Sequence, residues 1–97
     1  MYKVFFVARV KDYNDEYEKM SSRVYAHAKT LPGFISLEEE WKEDEHGTTE
    51  ITVTSWKTKE DVENWRTDSI HVEAKARAKE WYHWIKGVHF ECVDDDT

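Results

Sequence analysis

The chain has 97 residues, enough for one domain, with 36% charged residues, a net charge of −7 and five Trp and five Tyr. An acidic balance without a Lys/Arg run excludes nucleic acid and anionic membranes as expected partners. Cys92 is the single cysteine, so no disulfide can form within the chain.

Tyr2 to Val10 alternates as a strand, with Tyr2, Val4, Phe6, Ala8 and Val10 on one face and Lys3, Phe5, Val7 and Arg9 on the other. No basic stretch, apolar run and small-residue cleavage site precede it, and no apolar run reaches membrane-spanning length, so a cytoplasmic location is expected. Tyr13, Tyr17, Met20, Val24, Ala28 and Leu31 recur at spacings of three and four, the stripe of an amphipathic helix. Asn14 or Asp15 can cap its start, Glu16 and Glu18 suit its positive end, and Pro32-Gly33 ends it.

A second strand is expected over Phe34 to Lys42, with Ile35, Leu37 and Trp41 on one side and Glu38 and Glu40 on the other. Glu43 to Thr48 reads as a hairpin loop. Glu50 to Trp56 returns, with Ile51 and Val53 on one face and Thr52, Thr54 and Trp56 on the other. Thr58 to Asp61 resembles a capping box that opens a short helix bearing Val62 and Trp65. Asp68 or Ser69 caps another helix, whose inward stripe is Ile70, Ala74, Ala78 and Trp81. The last strand, Trp84 to Val93, sets Trp84, Val88, Phe90 and Cys92 against Ile85, His89 and Val93, and Asp94 to Thr97 is an acidic tail expected to fray.

The order β, α, β, β, α, α, β predicts a single α+β domain over residues 1–97, of ferredoxin-like βαββααβ topology with a four-stranded antiparallel sheet. Helices cover only one face of such a sheet, yet the first and fourth strands carry large apolar groups on both. A second copy of the chain is the economical cover, which makes a homodimer the expected assembly.

Leu31-Pro-Gly-Phe-Ile35, Glu50-Ile-Thr-Val-Thr-Ser-Trp56, Trp56-Lys-Thr-Lys-Glu-Asp-Val-Glu-Asn-Trp65, His71 with Ala74, and Trp81-Tyr82 follow one another in a spacing that spans nearly the whole chain. This pattern resembles the antibiotic biosynthesis monooxygenase family of dimeric α/β barrels. The resemblance implies a pocket between sheet and helices in each protomer, where a small phenolic or quinol-type aromatic is oxidised by O2 without metal or flavin. The protein would bind the flat ring, take a proton and steady the anion. Aromatic walls with a few polar groups suit that task.

Each candidate has a functional and a structural reading. Trp65, where the family places a pocket tryptophan, would stack on a substrate ring or anchor helix to sheet. His71, in the first turn of its helix, has a pKa lowered by the positive dipole end and would serve as a base, or face solvent. Tyr82 would bond a substrate oxygen. His27, beside the first helix's stripe, reads more readily as a satisfied core histidine. Trp56 and Trp81 would line the pocket or, by preference, pack the core, and Phe6 completes the expected lining.

No His, Cys or carboxylate set has metal-ligand spacing. A haem-degrading branch of the same superfamily has an asparagine on the first strand and a later helical histidine that ligates iron. The first strand here has no Asn, Lys75 stands ten residues after Trp65, and His71 falls a helical turn too early. No cofactor is therefore expected, with haem binding or degradation as the less favoured alternative and a non-enzymatic dimeric binding or stress-response domain as a third.

Overall fold

The structure, a computed structural model, describes residues 1–92. The expected acidic tail and Val93 lie outside the described residues, and so do the side chains of His89 and Phe90. The elements are β1 (Tyr2–Val10), α1 (Asp15–Ala28), β2 (Phe34–Asp44), β3 (Gly47–Trp56), α2 (Lys59–Thr67), α3 (Ser69–Ala76), α4 (Ala78–Trp81) and β4 (Tyr82–Glu91). They form a four-stranded sheet in the order β2-β3-β1-β4, every neighbour antiparallel, which is the ferredoxin-like arrangement expected. No helix is long and apolar enough to cross a membrane.

Side-chain parity decides which face of the sheet meets the helices. Tyr2, Val4 and Ala8 of β1 and Trp56 of β3 join Tyr17, Met20, Val24 and Ala28 of α1, Val62 and Trp65 of α2, and Trp81 in the core. The opposite face carries Val7, Ile51 and Val53, half-buried, and Trp84 and Val88, exposed at 43% and 58%.

Asn14 caps α1, its side chain accepting from the Tyr17 amide at 2.9 Å. The helix stops at Ala28, a turn before Leu31, because the residue preceding a proline is steered away from helical geometry. The amides of Thr30 and Leu31 then make tight three-residue bonds to the His27 and Ala28 carbonyls. The β2–β3 loop is shorter than expected. Asp44 pairs with Gly47, leaving only Glu45 and His46 in the turn. At α2 the capping box closes in both directions between Thr58 and Asp61. The helix expected to run from Ile70 to Trp81 breaks at Arg77, whose guanidinium bonds Glu16 of α1 at 2.9 Å and Glu80 at 2.7 Å.

Two bulges correct the sequence alternation. In β2, Phe34 pairs with Trp56 and Ser36 with Ser55, so Ile35 is the extra residue. Ile35 is thereby 45% exposed instead of sharing the inner side with Leu37, and Phe34 packs edge-on against Trp56. In β4, Arg9 pairs with Trp84 but Val10 with Tyr82, leaving His83 as the extra residue. Strict alternation would put Tyr82 on the same face as Trp84; the bulge turns it inward.

Candidate active site

Between the even face of the sheet and the helices lies a cavity of about 360 Å³. Phe6 of β1, Met20 and Val24 of α1, Ala74 and Ala78 of the last helices, and Trp81 form much of its apolar wall. The small alanines leave this space open: each larger side chain at Ala74 or Ala78 would project into it. Its volume falls in the range of small-molecule sites.

Two hydrogen-bonded groupings meet the cavity. The first is His71, the third residue of α3, held flat against Trp65 with ring centroids 3.9 Å apart and planes 13° from parallel. Its Nδ1 lies 2.9 Å from the Trp65 carbonyl. A carbonyl only accepts, so Nδ1 carries the hydrogen and Nε2 keeps its lone pair. Burial pushes the His71 pKa down to about 4, against the upward pull of that carbonyl, so the ring is neutral at pH 7. Desolvation, not the helix dipole, is the leading cause.

The sign of that shift makes a prediction. The unfolded chain binds a proton at His71 near its ordinary 6.5, the folded one only near 4. Stability present above pH 6.5 should be lost as pH falls through this window, by roughly 3 kcal/mol in total. Urea titrations at pH 7 and pH 4.5 should show this loss, and His71→Gln should shrink it. An equal loss in the variant would clear His71 of the effect.

The second grouping was not singled out by the sequence. Glu50 on β3 is fully buried, and three tyrosine hydroxyls donate to it: Tyr17 at 2.5 Å and Tyr82 at 2.7 Å to Oε2, Tyr25 at 2.9 Å to Oε1. Tyr82 also lies 3.0 Å from the Tyr17 hydroxyl, and Tyr25 shares a bond of 2.9 Å with Thr52 Oγ1. Burial first, then the Glu50 charge, drives all three phenols well above the ordinary tyrosine range, so they keep their protons. The signal was parity: Thr52, Thr54 and Trp56 share the inner face, and two residues back stands Glu50. Two further polar atoms on lining residues, Thr54 Oγ1 and Trp81 Nε1, are buried without a hydrogen-bond partner and have almost no accessible surface of their own.

Of the residues singled out in the sequence, Trp65, His71, Tyr82, Trp81 and Phe6 surround this cavity. His27 and Trp56 do not line it. His27 Nε2 sits 2.8 Å from Asp68 Oδ2, tying α1 to the residue that caps α3. Burial alone would raise the Asp68 pKa, but His27 and the Ile70 and His71 amides outweigh it and hold the carboxyl below its usual range. Trp56 is fully buried and stacks on Trp65 at 5.7 Å. With His71 flat against its indole and Trp56 beside it, Trp65 is 3% exposed and has little ring face left for a ligand. It works here as the platform on which His71 rests.

The residues fit haem poorly. Lys75, at the position of that branch's iron ligand, donates its Nζ to the Arg66 carbonyl at 3.2 Å. His71 is committed to Trp65 through ring and Nδ1. Among the described residues no group of three His, Cys, Asp or Glu is placed to hold a metal ion.

No family model matches the chain, and no curated protein matches it. Solved structures do. A Nitrosomonas europaea protein assigned as an antibiotic biosynthesis monooxygenase superposes with a TM-score of 0.79 at 17% identity, over 97% of this chain and 100% of its own. SnoaB, a cofactor-independent oxygenase from Streptomyces nogalater, gives 0.78 at 12% identity, over 98% and 95%. Rv0793 from Mycobacterium tuberculosis gives 0.77 at 10% identity, over 99% and 98%. The described residues of the chain therefore have the fold of these structures.

Proposed function

We propose that this protein is a cofactor-independent monooxygenase that oxidises a small aromatic, phenol- or quinol-type substrate with O2. The observation that carries the reading is the aromatic-walled cavity of about 360 Å³ with a neutral His71 on its wall, Nδ1 pinned and Nε2 unprotonated. The like fold of SnoaB supports it.

A phenolic ring would lie in the apolar slot with its hydroxyl donating its one hydrogen to His71 Nε2; a second hydroxyl, on a quinol, would donate to the Tyr82 oxygen. An imidazole whose conjugate acid has a pKa of about 4 is a weak base, so it does not ionise a resting phenol. Once the ring passes an electron to O2, the hydroxyl becomes far more acidic, and the same Nε2 suffices to take its proton. The resulting superoxide adds to a ring carbon, and the hydroperoxide loses water. In sum a ring C–H and the O–H are oxidised, one oxygen atom becomes the second carbonyl of a quinone, and the other leaves as water. No external reductant is required.

Oxygen uptake with a panel of naphthols, quinols and anthrones tests this reading, with ¹⁸O₂ placing one labelled atom in the product. Uptake no faster than in protein-free buffer across the panel would reject it.

The working unit would be a homodimer joined through the sheet face bearing Val7, Ile51, Val53, Trp84 and Val88, half-buried or exposed in the single chain. Light scattering should give twice the 11.6 kDa chain mass. Val53→Asp, a charge at the centre of that face, should return it to one chain. A monomeric wild type at micromolar concentration would refute the dimer.

A further inference from the structure

We propose that Glu50 sets the hydrogen-bonding polarity of the cavity, so that it takes flat rings bearing hydroxyl donors and discriminates against the same rings bearing only ethers or carbonyls. The inference rests on reading the cavity as the substrate site, and it adds the reason one redox form of the ligand is preferred.

The argument is a count of hydrogens. Each tyrosine hydroxyl has one hydrogen and can accept through its lone pairs. Three such donors onto the two oxygens of Glu50 is the pattern of a carboxylate, which can only accept. The Tyr82 hydrogen goes either to Glu50 or to the Tyr17 oxygen, and both lie inward. In either arrangement Tyr82 shows the cavity lone pairs alone. The Tyr25 hydrogen is likewise committed to Glu50, and Thr52 can turn its own toward Tyr25. His71 reaches the same state by another route, since its hydrogen is committed to the Trp65 carbonyl and Nε2 accepts. Two walls supplied by different elements, β4 and α3, therefore both ask a ligand for a hydrogen.

A ring hydroxyl can give its hydrogen to Tyr82 or His71. A carbonyl or ether can only accept, and leaves the Tyr82 and His71 lone pairs desolvated without a partner. The Lys75 ammonium and the Arg66 guanidinium also line the cavity. Each spends one hydrogen, Lys75 on the Arg66 carbonyl at 3.2 Å and Arg66 on Glu63 at 3.1 Å, and keeps others, but a carbonyl that met them would still leave the Tyr82 and His71 lone pairs without a hydrogen. One consequence for the proposed reaction is that conversion of a phenol to a quinone removes the donors that held it, which favours release of product.

Calorimetric binding under argon tests the proposal apart from turnover. The probes are 1-naphthol, 1-methoxynaphthalene and chromone: similar flat bicycles with a donor, an ether and a carbonyl. The wild type should bind 1-naphthol at least about tenfold more tightly than either other probe. In Glu50→Gln the amide nitrogen is a donor: facing Tyr17 and Tyr82 it makes them accept and frees the Tyr82 hydrogen toward the cavity, whereas facing Tyr25 it turns the Tyr25 hydrogen to Thr52 Oγ1 and leaves Tyr82 as it was. The preference should narrow or invert toward chromone in the first orientation, an effect that loose packing alone would not produce, and Tyr82→Phe decides the proposal in either. Tyr82→Phe, which leaves Glu50 two donors and keeps the ring, should cut the preference to within about threefold, and it carries the test if Glu50→Gln fails to fold. No binding of 1-naphthol, equal binding of all three probes by the wild type, or a preference unchanged in Tyr82→Phe would overturn the proposal. Selective binding without oxygen uptake would sink the oxygenase reading and leave this one standing. Uptake without selectivity would do the reverse.

Discussion

Glu50→Ala should cost about 3–5 kcal/mol of stability, enough to unfold much of the population of a small domain. The carboxylate is fully buried and receives three phenolic hydroxyls, Tyr17 buried and Tyr25 and Tyr82 half-buried. Removing it strands those donors in the core, at roughly 1–3 kcal/mol for each that finds no new partner, and opens a void beneath them. Relief from burying a charge works the other way and keeps the total below the simple sum. The network also spans the molecule, since Tyr17 and Tyr25 come from α1, Tyr82 from β4 and Glu50 from β3. Its loss therefore loosens the helix layer from the sheet. Urea denaturation followed by circular dichroism, at one protein concentration because association would add to apparent stability, measures the change. A loss under about 1 kcal/mol would show that the tyrosines find other acceptors and that the cluster does not hold the layers together.

Gly33→Ala should be almost as damaging, at about 2–4 kcal/mol, although it adds a single methyl group. Gly33 has φ of +79°, a region that costs an L-residue roughly 1–2 kcal/mol. A Cβ placed there would stand 1.9 Å from Asp61 Oδ2 and 2.1 Å from Asp61 Cγ. Asp61 cannot swing aside freely, because its carboxylate accepts from the Thr58 amide and hydroxyl in the capping box of α2. Alanine must therefore break that cap, worth about 1 kcal/mol, or displace the helix that carries Trp65. Since His71 rests on Trp65, the displacement should also weaken 1-naphthol binding. The double variant Gly33→Ala with Asp61→Ala removes the overlap with the carboxylate, but leaves the two Cβ atoms 2.8 Å apart and the backbone strain in place. It should be more stable than the sum of the single losses predicts. Strict additivity would show that the two residues do not collide.

Much of this geometry was legible from residue order alone. Spacings of three and four placed the inner stripe of α1, and Tyr17, Met20, Val24 and Ala28 are its buried residues. Alternation placed Thr52, Thr54 and Trp56 together, and Thr58 with Asp61 announced the start of α2. These are local properties: a period of 3.6 or 2 and a cap are written within a few residues. The same parity pointed at Glu50, but a charge in a strand is read as solvated until its partners are known. Those partners lie 25 to 33 residues away in α1 and 32 away in β4.

What only the tertiary structure decided follows from the same distinction. Bulges at Ile35 and His83 shift parity by one residue and exchange which side chains face inward, because strand register is set by pairing rather than by composition. The bulge at His83 is what delivers Tyr82 to Glu50. His71 owes its depressed pKa to burial against Trp65, and a side chain's solvation cannot be read from its position along a helix. The chain's own residues set the elements and the faces they show; the packing of those faces decided which charges lost their water, and with that the chemistry the cavity can do.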